Sequence, residues 1–140
     1  MTTKEYLNQI SRLNRMINNK LVEIQQLRDL ALGISSISTG ERVQSTPDFD
    51  KIGSKMAKID ELEKNLDETI DKYVYLKNRI IGQIESMEDE ITYNILFSRY
   101  IEKKQFELIA IDMGYSWRQI IRLHGNALRQ FEEKFGNEYM

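Results

Sequence analysis

A chain of 140 residues with a formal net charge of −2 suits one compact domain, or a small domain joined to an elongated one, and is short for a multi-domain enzyme. It holds no Cys, one Pro and one His among 30% charged residues. That excludes disulfides and zinc-finger sites and fits a helix-rich protein of a reducing compartment. No apolar run approaches the roughly 20 residues of a membrane span. Met1-Thr2-Thr3-Lys4-Glu5-Tyr6 lacks the basic patch and apolar run of a signal peptide, so a cytoplasmic location away from any membrane is expected.

The first element is a helix opened by Thr2-Thr3-Lys4-Glu5, which has the Thr-x-x-Glu form of a capping box. Leu7, Ile10, Leu13, Ile17, Leu21, Ile24, Leu27 and Ala31 follow at spacings of three or four and make one narrow apolar face. Gly33 ends it, and Ser35, Ser36, Ser38, Thr39, Gly40, Ser45 and Pro47 supply a loop over residues 33–46.

A second long helix is predicted from Thr46-Pro47-Asp48, with Thr as cap, Pro at the first helical position and acids in the first turn. Ile52, Ile59, Leu66, Tyr73, Ile80 and Met87 recur every seventh residue. Met56, Leu62, Ile70, Leu76, Ile84 and Ile91 fill the positions between, giving a coiled-coil seam. Two such helices can close on each other as a hairpin or pair with a second copy. A homodimer through this seam is the expectation, because a lone hairpin leaves a long apolar stripe half covered.

From Glu88 the pattern shortens. Glu88-Asp89-Glu90 reads as the acidic start of a helix rather than a metal or acid/base cluster. Ile91, Ile95, Leu96 and Tyr100 line one face, and Phe106, Ile109, Ala110 and Met113 the next. Gly114 stops that helix. Ser116-Trp117-Arg118-Gln119 is a second capping box, opening a helix with Ile120, Leu123, Ala127, Leu128 and Phe131 inward. The fold class is therefore all-α, with a long helical hairpin over residues 1–90 and a helix-turn-helix bundle over residues 91–140.

A helix-turn-helix needs a small residue where its helices cross, a residue tolerant of left-handed backbone in the turn, and apolar residues that lock the second helix. Ala110 falls at the crossing, Gly114 in the turn, and Ile120 and Leu123 where the second helix must pack. Charge points the same way. Residues 47–92 hold twelve Asp and Glu against seven Lys and Arg, whereas residues 116–130 hold Arg118, Arg122, Arg129, His124 and no acid. If DNA is a partner, the C-terminal segment meets it.

These residues resemble the fourth region of RNA polymerase sigma factors. The similarity runs through Ile95-Leu96-Phe97-Ser98-Arg99-Tyr100-Ile101, Phe106-Glu107-Leu108-Ile109-Ala110, Gly114-Tyr115-Ser116 and Ile120 to Arg129. It is strongest toward the sigma-region-4-like regulators of bacteriophages of Gram-positive bacteria, the RinA and ArpU kind, which share the segment seen here as Arg122-Leu123-His124-Gly125. The match in detail covers about the last 50 residues. The resemblance implies a phage or prophage regulator of late genes, acting in a bacterial host cytoplasm on duplex DNA, with RNA polymerase as a further candidate partner. Trp117, Arg118 and Gln119 stand where primary sigma factors carry Arg, Glu and Arg, so a −35 promoter preference is not inherited.

The residues at the exposed start of the second helix are the ones that meet base edges in a major groove, here Trp117, Arg118, Gln119, Ile121 and Arg122. Arg matches guanine O6 and N7, Gln matches adenine N6 and N7, and an apolar side chain packs on a thymine methyl. Lys103, Lys104, Asn126 and Arg129 are placed for phosphates. The lone His124 has no partners in triad or zinc spacing and is expected on the helix surface. Neither a catalytic motif nor a cofactor or metal site is recognisable, so a non-enzyme is expected. Two other readings stay open: a small-terminase-like DNA-packaging subunit, and a helical interaction module that does not bind DNA.

Overall fold

A computed structural model describes residues 1–33 and 49–140. The predicted cap Thr46-Pro47-Asp48, the loop from residue 34 onward and the side chain of Ile52 lie outside the described residues. Among the described residues the regular structure is all helical, with no strand, in the order α1 (Thr3–Leu32), α2 (Phe49–Glu85), α3 (Glu90–Leu96), a π-helical turn (Phe97–Ile101), α4 (Phe106–Met113), α5 (Trp117–Phe135) and a short 3-10 turn (Gly136–Glu138). No described helix is long and apolar enough to cross a membrane.

Local sequence explains most of the boundaries. Thr2 and Glu5 form the reciprocal capping box, the Thr2 N–H reaching Glu5 Oε2 at 2.8 Å and the Glu5 N–H reaching Thr2 Oγ1 at 3.2 Å. Asp89 caps α3 by accepting from the Ile91 N–H, so the acidic run Glu88-Asp89-Glu90 serves a helix start. The seam read as far as Ile91 is cut short, because α2 ends at Glu85. Ser86 Oγ turns back onto the Gln83 carbonyl at 2.6 Å, a local bond that competes with the helical ladder. Met87 and Ile91 therefore lie beyond α2.

The chain divides into two compact units. One comprises residues 14–71. In it Ile24 of α1 is buried with Ile59, Leu62 and Leu66 of α2, flanked by Ile17 and Leu27, and Arg28 forms an ion pair with Glu63. Met56 and Ile70, which the heptad count assigned to the seam, are 48% and 36% exposed.

The other unit comprises residues 1–13 and 72–140, so residues 91–140 do not form a body by themselves. Tyr6, Leu7 and Ile10 pack with Ile80, Ile84, Leu96, Tyr100, Ala127 and Phe131. The start of α1 and the end of α2 thus supply part of the floor on which α5 rests. A second cluster of Ile95, Ile109, Ala110 and Ile120 joins α3, α4 and α5. Its three isoleucines are at most 1% exposed, and each full burial contributes about 1.5–3 kcal/mol. Polar ties close the unit: Tyr6 donates to Gln83 Oε1 at 2.7 Å, Gln83 Nε2 donates to Glu138 at 2.6 Å, and Lys134 donates to the Ser86 carbonyl at 2.7 Å.

Candidate nucleic-acid interface

The site is built on the α4–α5 pair. Gly114 ends α4 in left-handed backbone at φ +72 and ψ +27, where a Cβ would be strained. The N–H groups of Gly114 and Tyr115 return to the carbonyls of Ile111 and Ala110 at 3.3 and 3.0 Å. This is the paired pattern of a Schellman stop, which satisfies the last carbonyls of the helix. One residue later Ser116 caps α5. Its Oγ accepts from the Gln119 N–H at 3.2 Å while the Gln119 side chain accepts from the Ser116 N–H at 3.0 Å. The turn is short because both ends are satisfied locally, and Ile120 and Ala127, both fully buried, hold α5 down.

The five residues predicted to face bases share the first two turns of α5. Trp117 is 52% exposed, a half-open ring at the helix start. Arg118 and Arg122 are exposed, and among the described residues neither has a hydrogen bond or ion pair. Ile121 is half-buried. Gln119 is exposed, but the oxygen it would need for two-point contact with adenine is held by the capping box.

The four residues predicted to meet phosphates differ from one another. Arg129 is exposed and donates to Asn126 Oδ1 at 3.1 Å, one turn back along α5. Lys103 is exposed and is the one non-glycine residue described with positive φ, +59. Lys104 sits between Asp112 and Glu102 at 3.0 and 3.4 Å, and the hydrogen bond to Asp112 raises its pKa. Its charge is already answered within the chain.

The expectation for His124 is corrected. It is only 7% exposed. Its Nε2 lies 2.7 Å from Tyr100 Oη, and its ring meets Phe106 edge-on at 4.8 Å between centroids. Arg99 stacks on Phe106, its guanidinium 4.1 Å from the ring centroid and donating to the Lys104 carbonyl at 3.0 Å. Burial, with Lys4 and Arg99 adding positive charge, drives the His124 pKa down to about 4. Burial also pushes Tyr100 up to about 12. Both groups are therefore neutral at physiological pH, and His124 offers no charge to a phosphate.

Sequence reasoning missed this polar seam under α5 and the role of Arg99 in fixing the loop before α4. The signal was present: His124 falls four residues after Ile120 and three before Ala127, on the same face as both. No protein-family model, curated protein or solved structure matches this chain.

Proposed function

We propose that this chain is a sequence-specific duplex-DNA-binding transcriptional regulator, of phage or prophage late genes, that reads the major groove with the helix starting at Ser116. The observation that carries the reading is the outward face of α5, where Arg118, Arg122 and Arg129 stand exposed with no carboxylate partner among the described residues. Unpaired cations on one face of a helix, capped and seated across a glycine turn, suit a duplex that supplies the missing negative charge. Arg118 and Arg122 read bases, with Trp117 and Ile121 against thymine methyls, while Lys103, Asn126 and Arg129 hold phosphates. Lys104 contributes less, since binding a phosphate would compete with two carboxylates. The chain acts without enzymatic chemistry, and Met56 and Ile70, exposed on α2 one heptad to either side of Glu63, are apolar side chains left for a second copy.

Selection of bound duplexes from a random pool, followed by titration at several salt concentrations, tests this reading. A recovered sequence bound with strong salt dependence supports it. No duplex binding at low salt overturns it.

A second reading, an interaction module, is favoured by one observation: Ile111 and Leu108 on the outer face of α4 are 76% and 45% exposed. If RNA polymerase is a further partner, this apolar face is the one we assign to it. The salt titration separates the two readings.

A further inference from the structure

The outward face of α5 carries one residue whose presence nothing inside the chain explains. Gly125 stands mid-helix and exposed, and a Cβ built on it would meet nothing within 4 Å. Its backbone is right-handed, since positive φ among the described glycines is confined to Gly33 and Gly114. Neither packing nor conformation calls for glycine there. Apart from proline, glycine is the least favourable residue for a helix interior. A side chain absent where the chain itself has room for one points to something outside the chain that approaches closely.

The neighbours say what that is. Arg122 lies three residues before Gly125 and Arg129 four after, so both flank it on the helix surface. Arg118 continues the same face one turn earlier. None of the three guanidiniums meets a carboxylate among the described residues, and the contact Arg129 makes is with the neutral Asn126 amide. The result is a notch with bare backbone as its floor and cations at both ends. Gly53 and Gly82 of α2 are also exposed with open space around them, but Met56 and Ala57 follow Gly53 on its face and the Arg79 beside Gly82 is paired with Glu138, so neither carries a pair of open guanidiniums.

We propose that Gly125 is where the backbone of α5 lies against a DNA strand, one sugar-phosphate unit seated over it with Arg129 on its phosphate, while Arg122 on the other side of the notch reaches past the strand to the bases. This rests on the duplex-binding reading given above and adds the place and depth of the contact. The Arg129 guanidinium suits a phosphate, and the missing Cβ lets the strand come nearer than any other residue would allow. The major groove of B-form DNA admits a helix to that depth, whereas that of A-form RNA is too narrow.

The test compares the wild-type full chain with Gly125→Ala and Gly125→Leu, on the selected duplex, on an unrelated duplex and on double-stranded RNA of the selected sequence. Gly125→Ala should raise the melting temperature, because the helix gains, yet weaken both DNA duplexes about tenfold, the usual size of an overpacking penalty. Gly125→Leu should weaken them further. The salt dependence should keep its slope, since no charge is removed. If the wild type binds DNA and Gly125→Ala binds equally well, the strand seat is wrong while the duplex reading stands. A loss confined to one base pair, or RNA bound as tightly as DNA, likewise overturns the seat. If the wild type binds no duplex, both fall together. Should Gly125→Leu fail to fold, Gly125→Ala alone decides.

Discussion

α2 and α5 are both amphipathic helices with several cations, yet they use them in opposite ways. On α2 the cations are interleaved with acids and some are paired outright, as Lys58 is with Glu61 and Arg79 with Glu138. On the first fourteen residues of α5 there is no acid, and Arg118 and Arg122 are left open. Exposed pairs contribute about 0–1 kcal/mol to stability and mainly keep a helix soluble. Unpaired cations on one face instead hold a positive local potential, screened by solvent and salt, that is open to an anionic partner. Availability, rather than the number of Lys and Arg, separates a solvated face from a binding face.

The largest expected effect concerns what lies beneath the α5 face. Unfolded His124 would titrate near 6.5, whereas burial holds it at about 4 when folded. Between those values the unfolded chain takes up a proton that the folded chain refuses, so stability falls as pH drops through this window. At full development the loss is about 2–3 kcal/mol, allowing for some solvent screening. Chemical denaturation at pH 7, 5 and 4 measures it. In His124→Leu the drop specific to this window should vanish, at the cost of a lower baseline from the unpaired Tyr100 hydroxyl.

Next in size are Arg118→Ala and Arg122→Ala, each expected to weaken the preferred duplex by about 1–3 kcal/mol and to relax the choice at one base pair. Arg79→Ala is the control on α2. It loses the Glu138 pair and should leave DNA affinity unchanged. If Arg79→Ala weakens binding as much as the other two, the contrast between the helices is wrong.

Removing the cap by Ser116→Ala should cost about 1 kcal/mol of stability, seen as a lower denaturation midpoint. The smallest effect sharpens the contrast within the basic residues themselves. Arg129→Ala should weaken all sequences alike and flatten the salt dependence by about 0.9 of a unit of slope. Lys104→Ala should change it less, because Asp112 and Glu102 already hold that ammonium.

What was legible in the sequence was local. Both capping boxes, the acidic start of α3, the Gly114 stop and the inward set Ile95, Ile109, Ala110 and Ile120 depend on residues a few positions apart, and the period of the apolar residues reports them. What was not legible depends on distant partners. The π-helical turn Phe97–Ile101 reads from spacing like the end of an α-helix, and only its packed surroundings distinguish it. His124 was judged by its polarity although its position lies on the buried face, where Tyr100, 24 residues away, supplies its partner. The packing of Tyr6, Leu7 and Ile10 under Phe131 spans nearly the whole chain, and no local pattern announces it. The conflict at Gln119, one side chain read both as cap and as base reader, was visible in the sequence; geometry gives its oxygen to the cap.

Salt acts directly on the open guanidiniums of α5 if they are the duplex-binding face we propose. The most direct measurement is the salt dependence of binding to a selected duplex for the wild type and for Arg118→Ala/Arg122→Ala together. Wild-type binding should be tight and weaken linearly in log salt by about 0.9 log unit per phosphate held, with the double variant losing its preference for the selected sequence over a random one. Equal affinity of the two proteins for that duplex, or binding indifferent to salt, would contradict the duplex-binding reading.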